Sequence, residues 1–190
     1  MAKRFVFLEI TDPEINALLG WIREIAMGAP SRHNVHMTIR GPYSASIPKA
    51  QLDRYQKILR VNPIVFEGVD AFRAGERSVV YLKIQHPKLR QIWWKPDFPI
   101  QKHGFNPHIT IFEGMDASRA RAVLDFLKKE RLQLLTSKFE VTSRVSDHQD
   151  LFGAPPRKEE PFLRLVNSGR VKPDILHRFE RVLRIATQAA

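Results

Sequence analysis

Cysteine is absent from all 190 residues of the chain. That excludes disulfides, thiolate nucleophiles and cysteine-bound zinc, and it suits a reducing compartment. Acidic residues are comparatively scarce: 20 Asp+Glu stand against 31 Lys+Arg, giving a formal net charge of +11. Long apolar runs are missing as well. The opening stretch MAKRFVFLEITDPE holds an apolar run only as long as a strand before Asp12 and Glu14, so neither a signal peptide nor a spanning helix is expected. No glycine-rich phosphate loop, coiled-coil heptad or low-complexity linker interrupts the chain. A cytoplasmic protein with no membrane partner is the expectation.

What is present is enough apolar material, 43% of the residues, to bury a core as one domain or two small fused lobes. The positive field attracts polyanions, among which RNA, nucleotides and acidic lipid surfaces are the usual candidates.

The pattern along the chain mixes two periods. Residues 3–10 alternate Phe5, Phe7 and Glu9 against Val6, Leu8 and Ile10, which predicts a strand with one aromatic-rich face. Asp12 and Pro13 are suited to cap and open a helix whose Ile15, Leu18, Leu19, Ile22 and Ile25 share a face, ending at GAPSR. A second helix is expected after Pro48, with Leu52, Tyr55 and Leu59 buried, closed by Asn62-Pro63. Strands over 64–72 and 78–85 form a hairpin, 87–95 reads as a short helix, and 96–107 as irregular. A helix follows Asp116 along GMDASRARAVLDFLKKERL. Strands are then predicted over 138–146 and 161–166, and a final helix from Pro173 to about Ala186, with Arg178, Arg181 and Arg184 on its solvent face. The fold class is α+β, with two antiparallel sheets lining a central cleft, helices outside, and two comparable halves. Residues 1–166 would form the two-lobed domain and 167–190 a basic helical extension.

The chemistry lies in a near-repetition: NVHMTIRGP at 34–42 and NPHITIFEG at 106–114. Side chains alternate across a strand, so His36, Thr38 and Arg40 project to one side while Val35, Met37 and Ile39 face the other. His108, Thr110 and Phe112 repeat the arrangement against Ile109 and Ile111. With the apolar set inward, His and Thr face solvent or a cleft. Imidazole titrates near neutrality, so one copy can act as base and the other as acid on a phosphodiester. The hydroxyl two residues on can donate to a nonbridging phosphate oxygen. Neither metal nor cofactor is required by this scheme.

These paired motifs, HMT at 36–38 and HIT at 108–110 with FNPHITI around the second, resemble the signature of the two-histidine phosphoesterases, the superfamily of the 2′-5′ RNA ligase-like proteins and cyclic nucleotide phosphodiesterases. The resemblance covers roughly residues 3–166. It implies a bilobal fold of duplicated halves around a cleft, and hydrolysis of 2′,3′-cyclic phosphates or 2′-5′ linkages without metal. His36 and His108 would be acid and base, with His108 favoured as base, and Thr38 and Thr110 would clamp the phosphate. The implied partners are RNA ends or small nucleotides carrying such phosphates.

Arg40 departs from the family's usual residue there; it is either a charged phosphate clamp or a solvated strand-end arginine. Phe112 either stacks a base or packs. His33, His86, His103 and His148 match no zinc spacing. Of Trp93 and Trp94, one is expected in the core and the other is a candidate base platform. DHQD at 147–150 pairs a histidine with carboxylates in a polar turn, and the last helix's arginines either contact RNA or are solvated. Two alternatives to hydrolysis remain: a nucleotide-binding module without turnover, and reversible ligation of RNA ends.

Overall fold

The alternation of the opening residues does produce a strand, β1 (Arg4–Ile10), with Val6, Leu8 and Ile10 fully buried on one face. A computed structural model describes residues 3–30, 33–145 and 159–188 of the chain. Helix α1 (Pro13–Met27) follows β1. Asp12 accepts hydrogen bonds from the Glu14 and Ile15 amides, satisfying donors that a helix start leaves open, and Gly28 closes the other end at φ 68°. Strand β2 (His36–Tyr43), helix α2 (Lys49–Leu59), the hairpin of β3 (Ile64–Ala74) and β4 (Arg77–Gln85), and two single-turn helices, α3 (Leu89–Ile92) and α4 (Ile100–His103), lead to β5 (His108–Gly114). Helix α5 (Ala117–Glu130), strands β6 (Gln133–Thr136) and β7 (Phe139–Val145), and helices α6 (Glu159–Asn167) and α7 (Ile175–Gln188) complete the chain.

Two antiparallel sheets result, in the orders β2-β1-β7 and β5-β4-β3-β6. Each histidine motif therefore begins an edge strand, and the two edges, β2 and β5, pack against each other. The fold is α+β with two sheets, as the mixed periods predict. The halves are interleaved: α1, which grows out of the three-stranded sheet, packs on β5 of the other, and the chain returns at β7 to pair with β1. A single cluster of buried residues runs through both sheets and the helices around them.

Polar anchors fix the junctions. Besides capping α1, Asp12 accepts from the Thr136 hydroxyl at 2.9 Å, tying the start of α1 to the end of β6. Gln56 of α2 donates to the Phe139 carbonyl at 3.0 Å and accepts from the Val141 amide at 2.6 Å, satisfying the outer edge of β7 as another strand would. His86, 8% exposed, accepts from the Lys88 amide and is 2.8 Å from the Leu59 carbonyl, so it is a satisfied core histidine.

Three expectations need correction. Residues 161–166 belong to helix α6, not to a strand. A six-residue, mostly apolar stretch does not distinguish the two periods, and here Phe162 and Leu165 bury one helical face, with Phe162 edge-on to Trp21 of α1. The α5 helix stops at Glu130 because Arg131 turns left-handed at φ 50°, freeing Gln133–Thr136 to pair with β3. The stretch expected to be irregular contains α4. Helix α7 adds Ile175, Phe179 and Leu183 to the common core.

Arg178 is not a solvent residue of α7. It donates to both Glu130 carboxylate oxygens and, at 2.9 Å, to Asp174, and the Glu130 side chain is only 4% exposed. The guanidinium holds the Glu130 carboxyl below the usual carboxylate range, while that pairing raises Arg178 further. This fork clips α7 onto α5. We expect Arg178→Ala to lower the unfolding free energy by about 2 kcal/mol in urea titrations, and Arg181→Ala or Arg184→Ala, both exposed, to change it by less than about 0.5 kcal/mol. Because the folded Glu130 pKa is depressed, this stabilisation is present above the ordinary carboxylate range, and the difference between wild type and Arg178→Ala should vanish as pH falls through the lowered value.

Candidate active site

His36 and His108 stand at the first positions of β2 and β5 and share one local geometry. In each, Nδ1 lies 2.8 Å from the backbone carbonyl two residues back, that of Asn34 for His36 and that of Asn106 for His108. A carbonyl oxygen only accepts, so Nδ1 carries the hydrogen and the neutral ring keeps its lone pair on Nε2. Thr38 and Thr110 follow on the same faces, each partly exposed beside buried Met37, Ile39, Ile109 and Ile111.

The inner strands repeat the pattern. Phe7 of β1 pairs with Thr38 and meets the His36 ring edge-on at 4.9 Å; Tyr81 of β4 pairs with Thr110 and lies 4.8 Å from the His108 ring. Two residue pairs further, equivalence ends in opposite charge: Glu9 stands across from His36 and Lys83 across from His108.

Strand parity breaks just after each motif. A register shift lies between the Phe7–Thr38 and Val6–Arg40 pairs, and another between Tyr81–Thr110 and Val80–Phe112. Such a bulge inserts one residue and turns the strand's next side chain to the opposite face. Hence neither residue predicted to bind substrate stays beside its threonine. Phe112 is 4% exposed in the core, with its ring over Gly114, where an added Cβ would come within 2.9 Å of it. Arg40 donates to the Tyr43 hydroxyl at 2.6 Å and the Ile92 carbonyl at 2.7 Å, and its guanidinium sits over the Tyr55 and Trp94 rings. It is therefore neither a solvated strand end nor an open phosphate clamp. Gly41, at φ 114°, is required because a Cβ would lie 2.8 Å from the Arg4 carbonyl oxygen.

A cavity of about 540 Å³ opens on the second motif. His108, Thr110, Phe72, Tyr81, Trp93, Lys95, Phe98 and His103 contribute to its walls; His36 and Thr38 do not. Two larger hollows, about 620 and 750 Å³, lie elsewhere along the four-stranded sheet and include neither motif histidine. Trp93 is thus the indole in the cavity wall, while Trp94 packs against Tyr43 and Arg40. Phe72, Phe98 and Lys95 gave no sequence signal; Phe72 and Tyr81 become site residues only through the β3–β4–β5 register.

Around His36 the charges form a chain. Glu9, 5% exposed, accepts from the Arg144 guanidinium and the Thr142 hydroxyl, and Arg144 donates to His33 Nδ1 at 2.9 Å. Burial, the largest effect, lowers the His36 pKa; the Asn34 carbonyl opposes it, Arg23 lowers it further, and Glu9 and then His33 raise and lower it by less. His108 is lowered by burial and by Lys95, against the Asn106 carbonyl. Among the described residues no cluster of three or more His, Asp or Glu is arranged to hold a metal ion, and DHQD at 147–150 with His148 lies outside them. No described helix is long and apolar enough to cross a membrane.

No protein-family model matches this chain, and no curated protein matches it.

Both imidazoles should titrate below the ordinary value of 6.5. In ¹H–¹⁵N spectra followed against pH, we expect His36 and His108 to be neutral at pH 7 with the proton on Nδ1. A titration at or above 6.5, or an Nε2–H neutral form, would contradict the assigned geometry.

Proposed function

We propose that this protein is a two-histidine phosphoesterase that hydrolyses 2′,3′-cyclic phosphate ends or 2′-5′ phosphodiester linkages of RNA or small nucleotides. The observation that carries the reading is the matched pair of carbonyl-anchored imidazoles, each followed by a threonine, at the starts of two edge strands packed together. A binding module has no need of two rings held in the same tautomer with the Nε2 lone pair free to take a proton; an acid–base reaction does.

In the proposed cycle the Nε2 lone pair of His108 takes a proton from water as its oxygen attacks phosphorus. His36, protonated on Nε2, gives its proton to the departing ribose oxygen as the P–O bond breaks. The histidines end in exchanged protonation states and are reset by solvent. Lys95 near His108 favours a neutral base, which supports that half of the assignment; Glu9 across from His36 works toward the imidazolium an acid requires, but against burial and Arg23, which leave the ring's pKa lowered. The two threonine hydroxyls are suited to donate to nonbridging oxygens as charge develops. The basic surface, +11 overall, supports a polyanionic or nucleotide substrate, and a cytoplasmic setting suits the cysteine-free chain.

The test is incubation with nucleoside 2′,3′-cyclic phosphates and 2′-5′ dinucleotides in EDTA, with products resolved by position of the phosphate. We expect monophosphate product from wild type. His36→Ala and His108→Ala should each lose about 10²- to 10⁴-fold in kcat, and Thr38→Val or Thr110→Val about 10²-fold, with unfolding curves unchanged. Binding without product in wild type would favour the non-catalytic module; full activity in either histidine variant would refute the assignment.

A further inference from the structure

Lys95 occupies a position that the histidine motifs do not explain. Its ammonium lies over two rings, 5.1 Å from the centre of Trp93 and 5.6 Å from that of Phe98, and its side chain lines the cavity that holds His108 and Thr110. Burial lowers its pKa, the mark of a cation stripped of water. Yet it belongs to no ion pair among the described residues. The carboxylate in the same wall, Glu113, is bound to Arg77 at 3.1 Å, and nearby Asp97 faces Lys3 at 3.8 Å. The aromatic faces offset only part of the cost of desolvating an ammonium. Other groups on the cavity wall are Arg73 and His103, which add positive or neutral character and supply no counter-charge.

We propose that Lys95 is a phosphate-binding residue of the active site, its counter-ion being a nonbridging oxygen of the same phosphate that Thr110 and His108 engage. This rests on the phosphoesterase reading for the identity of the anion. It assigns the second motif the heavier share of phosphate binding. The cavity opens on that motif, and the three ring walls supplied by Phe72, Trp93 and Phe98 leave room beside the phosphate for a flat group such as a nucleobase.

Inorganic phosphate is the probe, titrated into wild type, Lys95→Met and Lys95→Arg in EDTA while the His108 and His36 ring resonances are followed. Lys95→Met keeps an apolar stem on Trp93 and Phe98, so the walls stay filled. We expect phosphate to shift His108 in wild type, Lys95→Met to weaken that binding about ten- to a hundredfold, and Lys95→Arg to recover most of it. In phosphate-free protein, His108 should titrate higher in Lys95→Met, because a neighbouring positive charge is gone, while His36 stays put. Unchanged phosphate affinity together with an unmoved His108 titration would overturn the proposal and leave Lys95 as a packing residue. So would a KM defect confined to cyclic nucleotides bearing an additional 5′-phosphate, since Lys95 would then serve a phosphate other than the reacting one. The titration does not depend on turnover. If wild type hydrolyses none of the substrates yet phosphate shifts His108 in a Lys95-dependent way, the hydrolase reading fails and the anion site stands.

Discussion

A hydrogen bond between a ring nitrogen and a backbone carbonyl, made twice, is the constraint on which the site depends. At His36 and again at His108, the carbonyl two residues upstream fixes the ring's rotation and decides which nitrogen bears hydrogen. Nε2, which keeps the lone pair, is then available as base when neutral and as acid when protonated. The bond forms because Asn34 and Asn106, two residues ahead of each strand's first position, turn their carbonyls toward the ring, and the strand's alternation then carries the threonine to the same face. Packing does the rest: buried Met37, Ile39, Ile109 and Ile111 hold both strands on a shared core, so that two segments 72 residues apart become neighbours.

Near-symmetry in the backbone is combined with asymmetry in the charges. The same bulge follows each motif, the same kind of aromatic ring flanks each histidine, and a close-packed glycine ends each stretch. Glu9 and Lys83, however, occupy equivalent positions, and Lys95 has its aromatic seat beside the second motif only. Two copies of one geometry thus sit in different charge surroundings, the condition for dividing acid and base roles between them.

Much of this was legible in the sequence because it is local. Period-2 alternation located β1, β2 and β5; Asp12, Asp116 and Pro13 marked helix starts; and the repeated His-x-Thr pointed to the two edge strands. What failed depended on distant partners. Extrapolating parity past Thr38 and Thr110 put Arg40 and Phe112 in the site, but bulges set by the pairing to β1 and β4 turn them away. The apolar run at 161–166 takes its helical form from docking on Trp21, and Arg178 is held inward by Glu130 from another helix. Phe72, Phe98 and Lys95 meet His108 only once the hairpin and the α3–α4 segment are folded over it.

The claim at the centre is that both rings serve one phosphorus atom. A crystal structure with a nucleoside 2′,3′-cyclic vanadate, which mimics the five-coordinate state, tests it most directly. The account requires Nε2 of His36 and Nε2 of His108 within about 3.2 Å of two different oxygens on the same vanadium, one on the attacking side and one on the leaving side. Vanadate held by one histidine alone, or seated away from both, would contradict it.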